Sequence, residues 1–402
     1  MRVGAVLLAV LLLAAACREA ETEVQPTPSP AASLASGSPT PTEDSGSLPP
    51  VGRIAYVGID GGLGVRYPSG ERLQVYAPEN GQVYYPEWSP DGKRIAFTEV
   101  EFLEESPTTD FSIADLMSVV VVDLDGNEVL REPRAILPHW SPDGLALAVG
   151  AEPDIEDESA LQVPSILDIA TGRMRELAPR MAMLDSPRWS PDGSRLVYGT
   201  FDGLYVVDAD GELGPRALLT GENYTKFYLT PSWTDRGTVI VFERDRSAGT
   251  PPGGVDSYVE VSVGGRIIGR VGDSYPTKCG RALFFRDHEA RSIPGTTFAA
   301  WGIECTGEQS KPGIWVKDMS GGQERFLDAS PVVKSVGLLD ISPDGTVIVF
   351  TNGGNGLGYT RGALPSRRGA VNIYVVGIDG GAPKLLVEDA RFPIWQPVPA
   401  RK

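Results

Sequence analysis

One seven-residue pattern recurs along this chain and limits what it can fold into more than any other feature. Three copies are nearly identical: Pro86-Glu87-Trp88-Ser89-Pro90-Asp91-Gly92, Pro138-His139-Trp140-Ser141-Pro142-Asp143-Gly144 and Pro187-Arg188-Trp189-Ser190-Pro191-Asp192-Gly193. Weaker copies follow at Pro231-Ser232-Trp233-Thr234-Asp235-Arg236-Gly237, at Ile341-Ser342-Pro343-Asp344-Gly345, where Ile takes the Trp slot, and at Pro393-Ile394-Trp395. Ser-Pro-Asp-Gly suits a type I turn, because Pro sets φ at the second position, Asp is tolerated at the third and Gly relieves the exit. A short run rich in Val, Ile, Phe and Tyr follows each turn and reads as a strand.

A second periodic signal lies between the copies: apolar strand, glycine turn, strand. The turn glycines are Gly70, Gly126, Gly172, Gly211, Gly265, Gly322 and Gly381, which makes seven units. A four-stranded antiparallel unit of about 40 to 50 residues with one Trp-bearing inner strand is the signature of a β-propeller blade. The long interval between Trp233 and Ile341 holds two units, with a degenerate inner-strand slot expected at Pro276-Thr277-Lys278. Arg53 to Ala77 supplies three strands without a Trp strand, and Phe392 to Pro397 supplies the missing one. Pairing the two closes the ring and removes its free edges. The expectation is an all-β, seven-bladed propeller, with six blades as the alternative if Lys278 to Ala329 is an elaborated insertion.

Charge and composition exclude several functions. The net charge of −17 leaves no broad positive surface for nucleic acid. Only two histidines occur, His139 and His288, which leaves little for histidine-based metal or acid/base chemistry. Neither a metal nor a cofactor is expected.

The apolar run Val3 to Ala16 has the length of a signal-peptide core and is too short to read comfortably as a spanning helix. Its end, Ala14-Ala15-Ala16-Cys17, resembles a bacterial lipobox, in which Cys17 is lipidated and becomes the first residue after cleavage. The usual Leu three positions before the cysteine is displaced, since Leu13 lies four before it. The alternatives are an ordinary secretory peptide cut near the same alanines or an uncleaved anchor. Residues 1–16 are therefore read as signal peptide and 17–50 as a Pro/Ser/Thr-rich tether without residues to form a core. Extended, it reaches up to about 100 Å. Residues 51–398 are the propeller.

The Trp-Ser-Pro-Asp-Gly repeats resemble the TolB-type, WD-like propeller repeats of bacterial envelope proteins, over roughly Gly52 to Pro397. That resemblance implies the fold and an envelope address. TolB-type proteins carry an α/β domain before a six-bladed propeller and work with the Tol-Pal system; the tether and the seven units here depart from that pattern, so the Tol-Pal role does not carry over. Prolyl-oligopeptidase-like peptidases use similar repeats, but no Gly-x-Ser-x-Gly elbow occurs.

Asp123-Leu124-Asp125-Gly126-Asn127-Glu128 and Asp208-Ala209-Asp210-Gly211-Glu212 superficially suggest calcium loops, but lack the full ligand spacing and fall where the repeat demands a turn. Gly353 to Gly358 lacks the lysine and context of a phosphate loop. The acidic stretches Glu99 to Glu105 and Glu152 to Glu158 read as insertions between a blade's second and third strands, serving solubility or a basic partner or cation at one rim. Trp88, Trp140, Trp189, Trp233 and Trp395 recur at a fixed offset from the turn and read as blade packing. His139, in the variable slot between Pro and Trp, is expected to be exposed. Cys279 and Cys305 are expected to form a disulfide: a hairpin pairing Leu283 with Trp301 also sets the two cysteines opposite each other, and an extracytoplasmic setting is oxidising. Two buried free cysteines are the alternative.

These readings combine into a lipid-anchored, extracytoplasmic, monomeric propeller that binds an envelope protein, peptide or glycan and does no chemistry. The competing class is a propeller enzyme, which needs inward-facing His, Arg and carboxylates from several blades. Changing Cys17→Ser is expected to abolish acyl incorporation and release the chain from membranes, read by labelled-lipid uptake and fractionation; unchanged membrane association without an acyl chain contradicts the anchor.

Overall fold

In the computed structural model, the described residues are 52–102, 113–152, 163–177, 187–200, 203–220, 226–245, 255–271, 290–293, 296–303, 312–319, 324–330, 332–333, 336–353 and 371–398. They form seven sheets of four antiparallel strands each. Blade 1 joins the two ends of the ring: Ala390–Trp395 pairs with Ile54–Gly58, setting Trp395 opposite Ile54 and Ile394 opposite Ala55. Blades 2 to 7 follow in chain order, with innermost strands Gly81–Trp88, Ala135–Trp140, Arg188–Trp189, Lys226–Trp233, Arg291–Ser292 and Val336–Ile341.

The repeated turn is built by its own side chains. In blade 2 the Ser89 hydroxyl donates to Asp91 at 2.6 Å, Gly92 N–H closes on Ser89 O at 2.8 Å, and Arg94 N–H donates back to Ser89 Oγ at 3.0 Å. Ser141 with Asp143, Ser190 with Asp192 and Ser342 with Asp344 repeat the 2.6 Å contact. The glycines leave these turns at φ of 67° to 72° (Gly92, Gly144, Gly193 and Gly345), the left-handed region that glycine enters without a Cβ clash. The second family of turns uses glycine for space as well: a Cβ on Gly126 would stand 2.5 Å from Val75 O of the preceding blade.

Adjacent blades are fastened at the inner strand through the tryptophans. The indole N–H of Trp88 donates to Ile394 O (3.2 Å), Trp140 to Glu87 O (3.1 Å), Trp189 to His139 O (3.1 Å) and Trp233 to Arg188 O (2.9 Å). Each acceptor is the residue just before the Trp slot of the preceding blade. In blade 1 the link differs: Trp395 donates its backbone N–H to Asp340 Oδ2 at 2.8 Å, and its buried indole N–H has no hydrogen-bond partner among the described residues. At the outer strands arginines reach the next blade's glycine turn, as Arg216 does to Val263 O at 2.6 Å and Arg325 to Asp379 at 2.8 Å.

The inner strands are not regular. Their pairing with the second strand shifts between Tyr84 and Glu87, Ile136 and His139, Leu229 and Ser232, and Val336 and Leu339. Such bulges re-aim the residues that follow. Tyr85, Leu137 and Phe392 sit at φ of 49° to 55°, each directly before a proline. A non-glycine residue there is strained by roughly 1 to 3 kcal/mol. Part of the compensation is visible at Leu137, whose N–H donates to the buried Thr98 hydroxyl of blade 2 at 2.7 Å.

Two sequence readings are corrected. The inner strand of blade 6 is Arg291–Ser292, with Arg291 opposite Ala300 and Ser292 opposite Ala299, and not a strand at Pro276-Thr277-Lys278, which lies outside the described residues. Ile293 N–H to Phe298 O (2.8 Å) and Thr296 N–H to Ile293 O (3.1 Å) repeat the backbone bonds that flank the Ser-Pro-Asp-Gly turn of the other blades. The Leu283 to Trp301 register does not match either: Trp301 faces Trp315, and on the other flank of that strand the described partners are Arg291 and Ser292. Cys279 and Cys305, like Cys17, lie outside the described residues.

The turn carboxylates carry a pH signature. Hydrogen bonds from the Ser190 hydroxyl and from Ser194 bring Asp192 down to about 2. At Asp91 and Asp344 burial pushes upward, but the serine hydroxyl and neighbouring donors outweigh it, and both are lowered. A depressed carboxylate stabilises the fold above its unfolded pKa and stops doing so as pH falls through the folded value. Stability to urea is therefore expected to fall from about pH 4 toward pH 2, less steeply in Asp192→Asn, as followed by Trp fluorescence; an Asp192→Asn curve parallel to wild type contradicts this.

Candidate functional site

The residue before the Trp slot occupies one register level in all seven blades. Ile394, Glu87, His139, Arg188, Ser232, Arg291 and Asp340 lie opposite Ala55, Ala96, Ala148, Val197, Ile240, Ala300 and Val349 of their second strands. The inner strands surround the axis, so these residues form one ring around it. Around that ring the order is apolar, acidic, imidazole, basic, hydroxyl, basic, acidic. The charges interact across it. His139 Nε2 is 3.4 Å from Glu87 Oε1 in the neighbouring blade, and Arg291 Nε is 4.0 Å from Asp340 Oδ1 in the next. His139 also feels the charges of Arg188 in blade 4 and of Arg291 in blade 6, three blades away.

His139 is thus not the exposed residue the repeat suggested. Its side chain is 20% exposed, and its Nδ1 is buried without a well-aligned hydrogen bond. Burial first, then the two guanidinium charges, hold its pKa well below the usual histidine value, opposed in part by the Trp140 backbone. It is neutral at physiological pH. Asp340 is committed on both oxygens, to Trp395 N–H and to Arg291.

Two residues earlier on the same inner strands lies a second layer. Leu338, Phe392, Tyr85 and Leu137, from blades 7, 1, 2 and 3, precede Asp340, Ile394, Glu87 and His139 by two positions. Tyr85 and Phe392 pack with ring centroids 4.8 Å apart, Tyr84 meets Phe392 edge on at 5.8 Å, Leu338 joins the same cluster, and Leu137 packs with Tyr84 and Tyr85. Three of the four are fixed by the strained pre-proline bulge. The inner strands therefore carry a charged level next to the rim of tight turns and, two residues earlier, a level of apolar side chains packed into the core.

The other sequence candidates resolve differently. The Asp123 carboxylate takes the N–H groups of Asp125 and Asn127 and the Asn127 amide, at 2.9 to 3.0 Å, as a turn-former does. Among the described residues no group of three or more His, Cys, Asp or Glu is placed to hold a metal. Glu99 is not part of a solvated insertion: it is buried in a strand and binds Tyr76 OH at 2.8 Å and Arg131 at 2.9 Å, tying blade 1 to blade 2. Residues 103–112 and 153–162 lie outside the described residues. The sequence signal for the ring was the variability of one slot inside an otherwise repeated motif.

No known family pattern matches this chain, and no curated protein does. Solved structures resemble it in shape. An oligogalacturonate lyase from Vibrio parahaemolyticus is 10% identical over 75% of this chain and 88% of that one, with a TM-score of 0.51. The β-propeller domain of the Trilobed protease from Pyrococcus furiosus is 13% identical over 76% and 83%, at 0.50. TolB from Acinetobacter baumannii is 16% identical over 88% and 69%, at 0.47. At such identities the likeness is one of fold.

His139 gives the ring a direct readout. A histidine kept neutral in the fold but protonated in the unfolded chain costs stability as pH drops below about 6.5. The expected result is an imidazole resonance titrating well below that value in wild type and rising toward it in Arg188→Gln and Arg291→Gln, together with loss of the pH 6.5 to 5 stability slope in His139→Gln. An ordinary, variant-insensitive titration contradicts convergence on the axis.

Proposed function

We propose that this chain is an extracytoplasmic binding module, tethered to the membrane through Cys17, that holds a protein, peptide or glycan ligand at its axis without transforming it. The observation that carries the reading is the axial ring. Within a repeat that keeps Pro, Trp, Ser, Asp and Gly for structural reasons, one position holds six different residue types in seven blades, and these lie where a propeller brings its blades together. All seven are partly exposed, with 16% of the Asp340 side chain and 28% of that of Arg291 open. The envelope address follows the apolar leader, the lipobox-like Cys17 and the tether.

A second reading has its own support. A neutral imidazole beside a carboxylate and under two guanidinium charges is what a propeller enzyme needs for proton transfer. Against it, Asp340 is occupied by Trp395 and Arg291.

The two readings separate by the fate of the ligand. Full-length protein in detergent is incubated with envelope peptide and glycan fractions, and retained molecules are eluted and weighed by mass spectrometry. Binding predicts ligands of unchanged mass, lost from Ser232→Trp, whose indole fills the axis. Products of altered mass that disappear in His139→Gln establish the enzyme, and equal retention by Ser232→Trp moves the site off the axis.

A further inference from the structure

We draw no further inference here: the strongest candidate, the outer edge strand Ile267–Val271 of blade 5, on which Ile267 and Ile268 are 36% and 52% exposed, carries nothing, because a register shift already breaks its pairing with Val255–Val261 and nothing in the structure shows what covers it.

Discussion

The structure depends on one hydrogen bond repeated around the ring: a tryptophan indole N–H donating to the backbone carbonyl of the residue before the Trp slot in the preceding blade. A bond of this kind contributes about 1 kcal/mol net, and burial of the indole contributes more. Its consequence lies in which atom accepts it. Because the acceptor is a backbone carbonyl, the bond does not depend on which side chain that residue carries. Ile394, Glu87, His139 and Arg188 are held in place by the next blade whatever their chemistry. One slot is thereby fixed in position and free in identity, which is what a recognition ring requires.

Where the indole is missing, the same level is secured differently. Ser292 and Ile341 stand in the Trp slots of blades 6 and 7, and the closing strand of blade 1 is tied to blade 7 by Asp340, whose carboxylate takes the Trp395 N–H. Asp340 is in this way both a fastener and a ring member, with Arg291 on its other oxygen. The pre-proline bulges supply the second layer. Tyr85, Leu137 and Phe392 accept strained backbone and pack into the core just below the ring.

Most of the architecture was legible in the sequence, because the signals were local. Ser-Pro-Asp-Gly forms its turn from its own hydroxyl, carboxylate and glycine, and needs no tertiary contact to be read. Closure by the last strand was legible from the incomplete units at Arg53 and Phe392. The blade 6 copy was hidden because Ser replaced Trp and no Ser-Pro-Asp-Gly follows it, so only the flanking backbone bonds preserve it. His139 was misplaced because repeat position gives the register of a residue but not which way a bulged strand aims it. Glu99 looked like the start of an acidic insertion until its partners, Tyr76 and Arg131, were brought from other strands. Bulges at non-glycine residues before proline contradict local preference and had no sequence signal.

The central claim is that the indole fixes the slot through its backbone carbonyl, whatever side chain that residue carries. It is tested most directly by hydrogen exchange of the indole N–H groups in protein labelled at tryptophan nitrogen. In His139→Ser and Arg188→Ser the account predicts that the Trp189 and Trp233 indoles keep their wild-type shifts and slow exchange, because their acceptors are unchanged. Loss of protection at Trp189 in His139→Ser, or at Trp233 in Arg188→Ser, would show that the ring side chains hold the blades together, and would contradict it.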